Sequence, residues 1–229
     1  VSFLWSNIGP VWNLTVSHVW LSALPIVIGF VVSLPIGWVA NRYRLSRAVL
    51  LTIGGILYAI PSLPLFFAMP ALIGTRILSP LNLVVALSIY ALALMVRTTA
   101  DALASVPGDV LQSATAVGFS GWRRFWTVEL PLAGPVLLAG LRVVSVSTVS
   151  LVSVGALLGV PNLGQLFTDG LNRSYTEEVL VGIVLIMLLA LVFDLVLVGI
   201  GRLLMPWTRA DRRTRRLSRH AAMKAVTGA

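Results

Sequence analysis

Few side chains in this 229-residue chain could make or break a covalent bond. Cysteine is absent, which removes disulfides, thiol nucleophiles and cysteine-based metal sites. The two histidines, His18 and His220, lie at opposite ends and offer no spaced pair of zinc ligands. No glycine-rich loop carries the Lys and Ser/Thr that cradle nucleotide phosphates, so the chain lacks the residue set for hydrolysing ATP. One carboxylate, Asp194, sits inside a long apolar run, and an intramembrane acid is by default a functional candidate. It lies about 12 Å from Arg202 along a helix axis. That position favours a structural ion pair at the basic end of the run, with Arg97 or Arg142 as partners. A proton-coupled carrier or channel built on Asp194 is the competing chemistry.

A second group of residues suits docking rather than reaction. Gln112, Ser113, Ala114 and Gly118 occupy Asp101–Pro131, the longest polar interval between apolar runs. The spacing predicts a short helix, capped by the Asp109 side chain and ended by Gly118 in a left-handed conformation. Ala114 leaves room for a partner to approach closely. A second short element, Trp122–Trp126, carries Arg123 and Arg124. Pro131 suits the first turn of the helix that follows, where a missing N–H costs nothing.

The elements that must position these residues are membrane spans. The chain is 58% hydrophobic and 11% charged, where a soluble domain carries roughly 25% charged residues. The fold class is all-α and polytopic, with five transmembrane helices at Val19–Ala40, Ala48–Ala68, Leu81–Val96, Leu132–Leu158 and Val179–Leu203. Residues 1–18 form a short external segment, 19–205 the membrane domain and 206–229 a basic tail. The first run lacks a basic start and a small-residue cleavage site, so it is a membrane anchor rather than a signal peptide. Pro25 and Pro35 should bend it, and Ile60-Pro-Ser-Leu-Pro64 breaks the second run, freeing carbonyls that must face protein or water.

Net charge is +9, and its placement decides its meaning. Arg42, Arg44 and Arg47, the 101–131 interval and the Arg-rich tail fall on one side of five spans, leaving Arg76 and Arg173 on the other. That asymmetry puts the basic side in the cytoplasm and the N-terminus outside. The tail suits anionic lipid better than nucleic acid, each cation contributing about 1 kcal/mol.

The run Gln112-Ser-Ala-x3-Gly118-x9-Val128-Glu-Leu-Pro131 resembles the EAA loop of ABC importer permeases, written Glu-Ala-Ala-x3-Gly-x9-Ile-x-Leu-Pro. Gln112 stands for the Glu, Ser113 for the first Ala and Val128 for the Ile. Residues 18–205 resemble the glycine betaine/carnitine/choline class, through His18-Val-Trp-Leu-Ser22, Tyr58-Ala-Ile-Pro-Ser-Leu63, Ala139-Gly-Leu-Arg142 and Leu158-Gly-Val-Pro-Asn-Leu-Gly164. Pro161 and Asn162 stand where the class has glycines.

This resemblance implies a coupling helix, with Gln112, Ser113, Ala114, Gly118, Arg123 and Arg124, docked on a cytoplasmic ATPase. ATP and Mg²⁺ would reside on that partner and no cofactor on this chain. It further implies an external solute-binding protein, a second permease copy or paralogue, and a place in the bacterial cytoplasmic membrane. A quaternary amine cannot shed its charge, so hydroxyls, aromatics and carbonyls near the broken second span would suit its path. Tyr58, Ser62, Ser145 and Thr148 are the candidates, although hydroxyls in spans often only bond to backbone or tie helices together. The same architecture could instead carry methionine or another amino acid.

Overall fold

The protein's structure, a computed structural model, describes residues 2–207, so the basic tail beyond Trp207 and His220 lies outside the described residues. Sustained apolar runs become long helices, even where they contain proline. α1 (Ser2–Ser6) leads into α2 (Ile8–Arg42), a 35-residue helix. It starts about ten positions before the expected span and continues through Pro25 and Pro35 without interruption. α3 (Arg44–Ala59) and α4 (Ser62–Ile73) are separated at Ile60–Pro61 and meet at 102°, a fold-back rather than a simple kink. α4 runs past Pro70 to a cap at Gly74 (φ +71°), so much of the expected 69–80 loop is helical.

α5 (Pro80–Ala104) starts with Pro80 in its first turn, behind the Ser79 side chain, which accepts from Leu81 N–H. It runs eight residues beyond the expected end at Val96, carrying Arg97 and Asp101 as part of the helix. The 101–131 interval holds α6 (Gly108–Ala116) and α7 (Gly121–Arg124), and a π-helical turn at Phe125–Glu129 leads into α8 (Leu130–Val154). A 3₁₀ turn (Gly155–Leu158), α9 (Gln165–Asn172) and α10 (Thr176–Leu204) complete the described chain.

Helix directions follow from which residues touch. A methyl on Gly29 would lie 2.6 Å from Ala91 Cβ, and one on Gly37 2.5 Å from Thr99 Cγ2. Rising numbers meet rising numbers, so α2 and α5 run parallel in close contact. The chain between them must therefore recross, and the bent α3–α4 pair is that crossing. Its other contacts agree: Arg47 pairs with Asp101 at 2.5 Å while Gly54 lies against Ala93, so α3 is antiparallel to α5. Gly140 against Thr98 and Gly155 against Leu83 make α8 antiparallel to α5. Arg142 on Asp194 and Leu138 against Gly201 make α10 antiparallel to α8. Five alternating crossings result, with α5 at the centre and α10 on the edge, most of its large apolar side chains exposed.

Buried polar side chains lock these helices together. Ser33 Oγ donates to Phe30 C=O and shares a 3.2 Å hydrogen bond with Thr99 across the α2–α5 contact. His18 is wholly buried, its Nε2 2.9 Å from Val149 C=O and its Nδ1 accepting from Leu163 N–H. A carbonyl on one nitrogen and an N–H on the other select the neutral tautomer with the proton on Nε2. His18 thereby ties α2 to α8 and to the 159–164 loop. Asn162, also fully buried, holds that loop by donating to Val160 C=O and accepting from Gly164 N–H.

Candidate functional site

The interval predicted to dock a partner folds as a projecting helix. α6 exposes Gln112 and Ser113, with Val117 just past its end 78% exposed. Leu111 turns inward to the cluster around Val106, Phe125 and Leu137. The start of α6 differs from expectation. Pro107 occupies the cap position without a side-chain bond, and Asp109 lies within the first turn. Proline fixes φ near −60° and suits a chain about to turn helical, so the helix starts two residues before Asp109 could cap it. Asp109 still complements the positive end of the helix dipole.

The far end meets expectation closely. Phe119 N–H donates to Ala114 C=O at 3.1 Å and Gly118 N–H to Thr115 C=O at 3.0 Å, while Gly118 adopts φ +91°. This pair of bonds around a left-handed residue is the Schellman arrangement. The chain then turns at Phe119, over whose ring the Arg123 guanidinium lies at 4.7 Å. Ser120 caps α7 by accepting from Arg123 N–H.

α7 is not an isolated element at Trp122–Trp126: it runs through a π-turn into α8, and Pro131 falls in the first turn of α8, as expected, with no break before it. Helical structure is continuous from Gly121 to Leu158. Pro131 lacks an N–H, and its ring would crowd the carbonyl four residues back. The chain widens locally instead: Leu130 N–H donates to Phe125 C=O, five residues earlier. This π-turn directs Arg124 and Glu129 toward each other. Arg124 Nε is 2.7 Å from Glu129 Oε1, and Arg124 Nη1 donates to Thr115 Oγ1 at 2.9 Å. Glu129 is buried. In a regular helix, residues five apart point about 140° away from each other. Helical spacing alone therefore offers no reason to pair these two, and Glu129 and Thr115 join the site only through the structure.

The four path candidates fall into two separate pairs. Tyr58 and Ser62 flank the α3–α4 break. Tyr58 is half exposed and stacks edge-on against Tyr90 at 6.0 Å. The Tyr90 hydroxyl donates to Ile60 C=O, so protein satisfies a carbonyl freed by the break. Ser145 and Thr148 are buried one turn apart on α8, and Ser145 Oγ has no hydrogen-bond partner. Among the described residues no hydrogen bond joins the two pairs.

Asp194 is held by Arg142 in a two-pronged bond, Nε to Oδ1 at 2.5 Å and Nη2 to Oδ2 at 2.8 Å. Of the two candidate partners, the structure selects Arg142. Both carboxylate oxygens are engaged, as the structural reading of Asp194 expects. Arg142 remains 43% exposed by side chain, beside a groove of about 470 Å³ lined by Val146, Met187, Leu188 and Leu191.

Comparison with known proteins identifies this architecture. The family model "binding-protein-dependent transport system inner membrane component" matches residues 29–210. The chain belongs to that family. It is a permease subunit of an ABC importer, one that works with ATPase and solute-binding components. It is 32% identical to the osmoprotectant import permease protein OsmW of Salmonella typhimurium, covering 85% of this chain and 91% of that one. Identity to the glycine betaine/carnitine/choline transport system permease protein OpuCB of Bacillus subtilis is 27%, over 90% and 94% of the two chains. The permease of the MetNI methionine ABC transporter, solved in an inward-facing form, superposes with TM-score 0.77 at 21% identity. The superposition covers 87% of this chain and 98% of that one, and at this identity the likeness concerns the fold.

Proposed function

We propose that this permease moves a quaternary-amine compatible solute such as glycine betaine, choline or carnitine into the cell. The observation that carries the reading is similarity along most of the chain to permeases named for osmoprotectants, glycine betaine, carnitine and choline. In this account residues 19–205 form the transport domain. α6 docks on a cytoplasmic ATPase, which binds and hydrolyses ATP with Mg²⁺. The surface formed by Gln112, Ser113, Ala114, Gly118, Arg123 and Arg124 receives the stroke, and α8 carries it into the membrane without a helical break. The N-terminus lies outside and the tail in the cytoplasm against anionic lipid, following the arginine asymmetry.

A second permease copy or paralogue completes the path. The Arg142–Asp194 pair supports this, because a charged side chain left 43% exposed deep in a span is costly against hydrocarbon. Protein or water on the α8/α10 face would remove that cost. Tyr58 and Ser62 offer an aromatic face and a hydroxyl beside the broken span, groups suited to a cation with no N–H to donate. Ser145 and Thr148 sit deeper, where a change of helix packing would be needed to uncover them.

ATP hydrolysis by the complex of permease, ATPase and receptor, measured with the receptor loaded in turn with each solute, tests the assignment. Glycine betaine, choline or carnitine should stimulate it. Stimulation by methionine with none of the three would reassign the solute class and leave the permease architecture intact.

A further inference from the structure

We propose that Arg124 is a positioning residue, a polar strut that transmits movement of the docking helix α6 to the base of α8. The inference rests on the reading of α6 as the ATPase-docking helix and assigns a role within it.

α6 packs chiefly against α7 and the π-turn. Behind it lies an open cavity of about 450 Å³, bounded by Trp38, Asn41, Arg42 and Leu111, with Arg124 and Glu129 in its wall. A helix backed by a cavity can rock into it unless something spans the gap. The Arg124 guanidinium is placed to do so. Its Nη1 reaches Thr115 in the last turn of α6, and its Nε holds Glu129 in the π-turn.

Each end of the strut is anchored. The Thr115 hydroxyl donates to Leu111 C=O at 2.8 Å, so its oxygen is turned to accept from Arg124. Glu129 is buried beneath α6, its side chain only 5% exposed, and a charge-assisted bond there resists exchange with water. The backbone route between the same two points runs through Gly118 at φ +91° and the 117–120 turn. A turn of this kind changes direction but carries push and pull poorly. The planar guanidinium bonds in two directions at once, a geometry lysine cannot reproduce.

A residue that merely stabilised the fold would lower uptake and ATP hydrolysis together. A strut fixes the ratio between them. The test reconstitutes the permease with its ATPase and receptor in proteoliposomes and measures solute imported per ATP hydrolysed. Thr115→Val and Arg124→Lys should each lower that ratio about fivefold, the size expected for losing one solvent-exposed hydrogen bond of ordinary net strength. Thr115→Ser, which keeps the hydroxyl, should restore it.

An unchanged ratio in Thr115→Val, or a parallel fall in uptake and hydrolysis, would overturn the strut. Gln112→Cys cross-linking to the ATPase subunit separates this from failure of the underlying reading. Cross-linking with an unchanged ratio leaves docking standing without the strut. No cross-link in the otherwise unaltered chain overturns docking and the strut with it.

Discussion

Gly118 offers a clean test of the docking helix, because its substitution changes backbone preference and little else. The residue holds φ +91°, and nothing lies within 4 Å of where a β-carbon would sit. Any loss therefore comes from forcing an L-residue into the left-handed region, not from a clash. That strain is about 1–2 kcal/mol for an ordinary residue, greater with β-branching and smaller for asparagine. Two backbone bonds depend on the same conformation, Phe119 N–H to Ala114 C=O and Gly118 N–H to Thr115 C=O. Losing the turn would fray the segment that bears Thr115. A shift of about 1–2 kcal/mol corresponds to a 5–30-fold change in the population of the docked geometry.

The expected order of ATP-dependent uptake in proteoliposomes is wild type, then Gly118→Asn, Gly118→Ala and Gly118→Val. Membrane insertion and yield should be similar throughout. Wild-type uptake and hydrolysis in Gly118→Val would refute the argument. So would an asparagine variant as impaired as the valine one, since that would implicate side-chain size rather than φ.

Two further expectations concern the scaffold. Gly37→Ala places a methyl 2.5 Å from Thr99 Cγ2 and should destabilise the α2–α5 contact by about 1–3 kcal/mol. Gly55→Ala, with open space around it on α3, should be neutral or stabilising by up to about 1 kcal/mol. Thermal unfolding of the purified complex separates the two, and equal melting temperatures would contradict the close packing. For orientation, Thr75→Cys and Arg173→Cys should react with an impermeant thiol reagent applied to intact cells, while Arg44→Cys and Gln112→Cys stay protected. The opposite pattern would invert the topology.

The features legible in the chain are those set by a local rule that nothing distant opposes. Sustained apolar runs mark the spans, Pro61 and Pro64 mark the broken one, and Gly118 marks the end of α6. The ends of spans are harder to place. α2 starts at Ile8 and α5 runs through Arg97 to Ala104, because a helix that is already nucleated continues into polar sequence as long as its bonds are met. The start of α6 departs from expectation because Pro107 supplies a backbone geometry that competes with the Asp109 cap.

The least legible feature is the Arg124–Glu129 pair. It depends on a π-turn, which forms where α7 runs without a break into α8 just ahead of Pro131. His18 is no zinc ligand by its spacing, yet its actual work depends on Val149 and Leu163, more than a hundred positions away. Arg142 and Arg97 are equivalent partners for Asp194 until the antiparallel register of α8 and α10 distinguishes them.

If this chain carries a quaternary-amine solute inward under the drive of a separate ATPase docked at α6, that transport must depend on the ATPase. The most direct test is uptake of labelled glycine betaine, choline, carnitine and methionine by the complex in proteoliposomes, with receptor outside and ATP inside. ATP-dependent accumulation of at least one quaternary amine, lost when the ATPase subunit is omitted, is the predicted result. Accumulation that persists without the ATPase, or of methionine with no quaternary amine, would contradict it.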